Sequence, residues 1–164
     1  GSEPMVEGID TKELSLRRMT EKENRALWRK VVYDPAITDR AFSYDEEQVD
    51  TRFAAEAATA EWNPVFGVFT RKGEVIGFVR LPCIVYSEKR CELEVFIAND
   101  SYRGKGYGTA AAKAALRLAH EKLSIDRVYA SAAAGDTRLM RVLEKAGFVR
   151  GRDHGTRAEF IKRF

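Results

Sequence analysis

The sequence predicts a mixed α/β domain whose first half is antiparallel and whose second half carries a βαβ unit. Three observations carry that expectation: two helix starts of the Ser/Thr-x-x-Glu type near the beginning, three consecutive β-type runs between residues 65 and 98, and an alanine-rich helical stretch followed by a strand and a further helix. At 164 residues, with 45% hydrophobic and 32% charged side chains, the chain matches ordinary globular averages, which excludes disordered, collagen-like and coiled-coil classes. A chain of this length buries roughly 70% of the surface that it exposes when unfolded, so its core needs no metal or disulfide staple.

Leu14-Ser15-Leu16-Arg17-Arg18-Met19 alternates at period two, like a half-buried strand. Thr20 with Glu23 three residues on makes a capping box, and Leu27, Trp28, Val31 and Val32 supply the apolar stripe behind it. After a loop around Pro35, Ser43 and Glu46 repeat the capping-box spacing, and Val49, Phe53 and Ala57 step by four towards a helix end near Glu61. Past Asn63-Pro64 the pattern turns to β. Val65 to Thr70, a turn at Arg71-Lys72-Gly73, Val75 to Tyr86 and Cys91 to Ala98 read as an antiparallel meander. Gly108 to Leu123 is helical, Arg127 to Ala132 a strand, and a last helix runs to Lys145, where Gly147 stops it. Phe148-Val149-Arg150 and Ala158 to Ile161 close the chain as a hairpin. The order is β-α-α-β-β-β-α-β-α-β-β in a single domain over 12–164, with residues 1–11 as a leader outside the fold that begins with a Gly1-Ser2 tag scar.

The 28 Lys and Arg against 25 Asp and Glu leave a net charge of +3, too balanced for a general nucleic-acid binder. Cys83 and Cys91 make no disulfide framework, and no His/Cys cluster has zinc-ligand spacing, so no metal is expected. There is no apolar signal segment and no run of 18 apolar residues. The chain therefore reads as a soluble, cytoplasmic protein of a reducing compartment, with no membrane partner.

The segment Asn99 to Thr109 joins a strand to a helix and holds Gly104, Gly106 and Gly108. Glycines let a backbone approach a ligand closely, and the free N–H groups and dipole of the next helix favour an anion such as a pyrophosphate. Arg103 and Lys105 add positive charge there. Gly106-x-Gly108-x-x-Ala111 also satisfies a dinucleotide fingerprint, but a long polar loop precedes it and Asp126 falls at the start of the next strand, so that reading fails. A Walker A loop fails too, because Gly104-Lys105 is followed by Gly106 rather than Ser or Thr.

Arg103-Gly104-Lys105-Gly106-Tyr107-Gly108 resembles the Arg/Gln-x-x-Gly-x-Gly/Ala acetyl-CoA loop of the GNAT superfamily of N-acetyltransferases. The stretch from Asp136 to Phe148 is similar to the Asn-x-x-Ser/Ala-x-Arg-x-Leu-Glu-Lys-x-Gly-Phe segment of its RimJ/RimL-like branch, and Glu92-Leu93 stands where that branch often has Glu-Ile or Glu-Leu. The resemblance in element order covers nearly all of the chain after residue 12. It implies a GNAT-like fold with a central mixed sheet, and acetyl transfer from acetyl-CoA to a primary amine in a ternary complex. The amine is a protein N-terminus, a polyamine or a small molecule, in a monomer or homodimer. By the same resemblance, Phe96, Ile97 and Ala98 offer backbone groups to the pantetheine arm. The amides of Arg103, Gly104, Lys105, Gly106, Tyr107, Gly108 and Thr109 hold the pyrophosphate. Asp136 stands for the usual Asn, either as a ligand contact or as a helix cap.

The chemistry needs a neutral amine, a polarised thioester carbonyl and a proton for the departing thiolate. Glu92 and Glu94 lie two apart on a strand and share a face near the implied acetyl position; either draws a proton from the ammonium through water, and Glu92, at the family position, ranks first. Many family members place a tyrosine where this chain has Leu143, so Tyr129 and Ser131, alternating on the preceding strand, are the nearest hydroxyls. Trp28, Tyr33, Phe42 and Tyr44, with Asp45, Glu46 and Glu47, fall on the implied acceptor side. His120 and His154 read as surface residues without a role. The rival reading is a non-catalytic acyl-CoA-binding module, and a third is a partner- or nucleic-acid-binding domain that uses Arg103 and Lys105.

Overall fold

The computed structural model describes residues 6–31, 43–99 and 101–164, so Val32, Tyr33, Pro35 and Phe42 lie outside the described residues. The chain opens with β1 (Gly8–Asp10), β2 (Leu14–Arg17), α1 (Glu21–Lys30) and α2 (Glu46–Ala58). It continues through β3 (Val65–Thr70), β4 (Val75–Arg80), β5 (Arg90–Glu92) and β6 (Glu94–Ile97). Then come α3 (Tyr107–Arg117), β7 (Arg127–Ala133), α4 (Thr137–Lys145), β8 (Val149–His154) and β9 (Arg157–Arg163). The expected central sheet is divided in two. One sheet has the order β1-β2-β3-β4-β6, antiparallel throughout; the other has the order β5-β7-β9-β8, parallel only between β5 and β7.

The predicted capping box at α1 forms in both directions: Glu23 N donates to Thr20 Oγ1 at 3.1 Å and Thr20 N donates to Glu23 Oε1 at 2.9 Å. The second helix differs. Its cap is Asp45, whose Oδ1 accepts from Gln48 N at 3.1 Å, so the helix starts two residues after the Ser43 cap read from sequence and ends at Ala58. Asp caps as well as Ser, and spacing alone cannot choose between two competent residues so close together.

β3 and β4 are buried along nearly their whole length because both faces of the first sheet are covered. Phe66, Val68, Ile76 and Val79 face the main core with α3, whose Ala111, Ala112, Ala114 and Ala115 let the helix lie close to the strands. Phe69, Val75 and Phe78 face the other way, where Leu27 and Trp28 of α1 cover them. Full burial of Leu27 stabilises the docked helix by about 1.5–3 kcal/mol. Gly77 fixes how close β4 and β6 run, since a β-carbon there would stand 2.1 Å from the Phe96 carbonyl oxygen.

Four further boundaries differ from the sequence reading. Among the described residues the first strand begins at Gly8 rather than after residue 12, because Gly8–Asp10 of β1 pair antiparallel with Ser15–Arg17 of β2, and a β-carbon at Gly8 would stand 1.9 Å from the Leu16 carbonyl oxygen. The strand expected to reach Tyr86 stops at Arg80, where Pro82 has no N–H to donate and Cys83 adopts φ 58°. The run from Cys91 to Ala98 is extended but is shared between the two sheets, changing over at Leu93. Helix α3 starts one residue early, at Tyr107, and its end passes into a π-type turn over Leu118–Lys122.

Arg25 ties α1 to α2 through Asp50, with Nη2–Oδ2 at 2.5 Å, and Arg17 holds Glu23 at 2.6 Å. The hydrogen bonds from these guanidinium groups hold Asp50 and Glu23 below the usual carboxylate range, and Tyr102 does the same for Glu74. Depressed carboxylates contribute stability that is complete above their unfolded values and is lost as pH falls through the folded ones, that is, below about pH 4. Denaturant midpoints should therefore fall more steeply between pH 5 and pH 2–3, roughly, in the parent than in Glu23→Gln, with the two proteins converging at the acid end.

Candidate active site

β5 and β7 run side by side through Glu92 and Tyr129, and the last bond between them is Leu93 N donating to Tyr129 O at 2.8 Å. Beyond it the strands part: β6 joins β4, while β7 continues through Ala130 to Ala133 with β9 alone. Two strand edges thus face each other, without a ladder between them, across a cleft of about 990 Å³. Glu94 to Ile97 form one wall, Ala133 and the exposed face of α4 the other, and Gly104, Gly106, Gly108 and Thr109 the far end.

That far end is built for an anion. Gly104 and Gly106 take φ 75° and 83°, left-handed values that suit glycine, and a β-carbon on either would meet nothing within 4 Å. Gly106 is the N-cap of α3 and supplies no side-chain cap, and the helical ladder begins with Ala110 N donating to Gly106 O at 3.0 Å. The earlier N–H groups of the first turn therefore point, with the positive end of the helix dipole, at the cleft. At Gly108 a β-carbon would come within 3.3 Å of Val142 Cγ2, so α4 packs directly against this helix start.

The cleft brings together Phe96, Ile97, Arg103, Gly104, Gly106, Gly108, Thr109 and Asp136 from the sequence reading. Ala98, Lys105 and Tyr107 do not line it: Ala98 is fully buried and its N–H is spent on Ile76 O at 2.8 Å, Lys105 is exposed, and Tyr107 packs against the core. Arg103 turns part of its guanidinium inward, with Nη2 donating to Ile97 O at 2.8 Å. Asp136 caps α4, Oδ1 accepting from Leu139 N at 3.1 Å, while also lining the cleft. Leu143 is buried and presents no hydroxyl. Sequence reasoning missed Arg138, Arg141 and Lys145, which share the cleft-lining face of α4 at helical spacing. Their i, i+3, i+7 pattern was available as a signal, though a solvated helix face gives the same pattern.

Glu92 and Glu94 both point away from the buried Leu93, as the alternation requires, but the change of sheet parts them. Glu94 lies in the cleft with its Oε2 2.7 Å from Arg80 Nη1, and Arg80 also holds Glu56 at 2.9 Å. Glu92 lines a second, adjoining cavity of about 500 Å³ together with Tyr129, Ser131, Cys83, His154 and Glu159. His154 Nε2 sits 2.7 Å from Glu159 Oε2, a contact that the sequence reading of His154 did not foresee. Arg157 is the residue common to the linings of both cavities. On the side expected to admit the acceptor, Trp28, Phe78 and Phe96 form a ring cluster with centroids 5.1–6.1 Å apart. Asp45 is used as a helix cap, and Glu46 is held by Arg29 at 3.0 Å under Tyr44, so these groups serve the α1–α2 junction.

Neither thiol is set up as a nucleophile. Cys91 is buried, which pushes it up to about 12, and the Glu92 carboxylate beside Cys83 raises that thiol as well. A short iodoacetamide treatment near neutral pH should modify Cys83 slowly and leave Cys91 unmodified in the folded protein, as read by peptide mass mapping. Among the described residues no group of His, Cys, Asp and Glu could hold a metal ion, and no helix is long and apolar enough to cross a membrane.

Parted strands, a glycine turn and a helix start at one cleft agree with a sequence match: the family described as the acetyltransferase (GNAT) domain matches residues 13–149. The chain belongs to this family. The GNAT fold extends over almost the full length. A provisionally assigned ribosomal-protein-serine acetyltransferase from Vibrio cholerae superposes with a TM-score of 0.80 at 18% identity, covering 96% of this chain and 97% of its own. A chimera of the spermidine N-acetyltransferase SpeG from Vibrio cholerae and hSSAT gives 0.78 at 18% identity, with 93% and 96% covered. A GNAT-family acetyltransferase from Bacillus anthracis gives 0.78 at 20% identity, with 95% and 98% covered. Curated protein sequences contain no match. As a GNAT acetyltransferase, the protein has its family's fold, with Leu143 of α4 buried and Arg138, Arg141 and Lys145 lining the cleft.

Proposed function

We propose that this GNAT acetyltransferase moves the acetyl group of acetyl-CoA onto a primary amine by direct transfer in a ternary complex. The observation that carries this reading is the pair of unladdered strand edges leading from the α3 N-terminus to the point where β5 and β7 meet. An amide-bearing arm fits between such edges as an added strand would, a diphosphate fits the free N–H groups of Tyr107, Gly108 and Thr109, and Arg138, Arg141 and Lys145 suit the remaining phosphate charge. Bound in this way, acetyl-CoA would supply an activated acetyl group to the amine.

The protein's own contribution is placement and proton management. Glu92, open to the second cavity, takes the proton of the incoming ammonium, directly or through one water. Glu94 is less suited, because its Oε2 is engaged by Arg80 Nη1 at 2.7 Å. Direct transfer agrees with the thiol chemistry, since Cys83 and Cys91 are both held in the protonated form. A primary-amine acceptor agrees with the fold likeness to proteins named as a ribosomal-protein-serine acetyltransferase and a spermidine N-acetyltransferase.

The test is calorimetric titration with acetyl-CoA, followed by thiol release against spermidine, short peptides with free N-termini and small amines. Micromolar binding with amine-dependent thiol release supports the reading. Binding without release to any amine favours the acyl-CoA-binding module.

A further inference from the structure

Buried Leu143 offers the cleft no acid, whereas Arg157 places a cation at its border. Arg157 stands opposite Ala133 at the start of β9, and its exposed side chain reaches along β7 to Ser131, with Nε donating to Ser131 Oγ at 3.0 Å and Nη2 to Ser131 O at 3.3 Å. Ser131 lies two residues beyond Tyr129, where β7 has just lost its parallel neighbour. The guanidinium therefore sits where the cleft meets the second cavity, and it lines both.

Its charge is not neutralised by the protein. Among the described residues Arg157 makes no ion pair: Glu159, which shares the second cavity with it, is 2.7 Å from His154, and Glu94 is held by Arg80. Two hydrogen bonds to one serine fix the position of the guanidinium without cancelling its charge, and the remaining N–H groups stay available. A fixed cation that borders the cleft stabilises negative charge that appears there during reaction.

We infer that Arg157 is a catalytic residue that stabilises the departing CoA thiolate, doing with charge what a general acid would do with a proton. This rests on the acetyl-CoA reading above. Glu92 takes one proton from the ammonium, the neutral nitrogen forms its bond to the acetyl carbon, the carbon–sulfur bond breaks with its electron pair left on sulfur, and the second proton that the nitrogen loses passes to solvent. The thiolate is held by Arg157 until it takes up a proton from solvent. No other reactant is needed, and Leu143 needs no replacement hydroxyl.

The test uses free CoA as the probe and reads its thiol directly. The ultraviolet absorbance of the thiolate, followed against pH, gives the thiol titration of CoA bound to the parent, to Arg157→Gln and to Arg157→Lys. In the parent, bound CoA should titrate about one pH unit or more below free CoA. The shift should vanish in Arg157→Gln and survive in part in Arg157→Lys, while affinity for acetyl-CoA, which has no thiol, stays within about twofold. With an active amine, kcat should fall about 100-fold in Arg157→Gln at little change in KM for acetyl-CoA. Equal thiol titration in the parent and Arg157→Gln, with both binding acetyl-CoA, overturns the assignment of Arg157 alone. Failure of the parent to bind acetyl-CoA overturns the proposed function and this inference with it.

Discussion

Gly106→Trp should weaken acetyl-CoA binding at least 100-fold, or about 2.7 kcal/mol, in calorimetric titration. Gly106 caps α3 with φ 83°, and the space in front of its missing β-carbon is open for 4 Å within the cleft. An indole there occupies the volume in front of the free N–H groups. The left-handed backbone also costs about 1–2 kcal/mol for any residue with a β-carbon, which alone would lower the melting temperature by several degrees. Gly73 separates the two effects. It lies in the β3–β4 turn with φ 85° and equally open space, but away from the cleft. Gly73→Trp should match the loss of thermal stability and keep acetyl-CoA affinity within about twofold of the parent. Equal binding by Gly106→Trp would remove the anion site from the glycine turn.

Glu92→Gln should lower kcat about 100-fold near neutral pH, with the KM for acetyl-CoA changed by less than about twofold. The two parameters divide because Glu92 faces the second cavity, whereas the groups proposed to hold the cosubstrate line the cleft. The defect should shrink as pH rises towards the amine's own pKa, because the acceptor then arrives neutral and needs no base. Glu94→Gln should cost less and show no such recovery, since it mainly frees Arg80 from one of its two carboxylates. A pH–rate profile on both variants checks this, and equal losses with parallel profiles would reject Glu92 as the base.

Much of the fold was legible because its signals are local. Thr20 with Glu23 marks a helix start through two hydrogen bonds within four residues, and Gly147 at φ 101° ends α4 where the sequence places that end. The glycine turn was legible for the same reason. What could not be read is set by distant partners. Nothing in Cys91 to Ala98 announces that Leu93 donates to Tyr129 while Val95 pairs with Val79, yet that change of partner opens the cleft. The short β1 is fixed by its register against β2, with Ile9 opposite Leu16, and three residues carry too little periodicity to show it. Arg157 belonged to no motif and lies 26 residues from Ser131, so its position at the junction emerges only when β9 is laid against β7.

The parting of the strands at Leu93 has a cost for the molecule between turnovers. An unpaired strand edge is a template for any other extended chain, and here two such edges face one groove. The same groove is bordered by Arg138, Arg141, Lys145 and Arg157, which a bound polyanion would welcome and an apolar, uncharged segment would not. Those cations thus disfavour the pairing of an apolar, uncharged segment with the exposed edges, so the charge pattern proposed to suit the ligand also works against self-association.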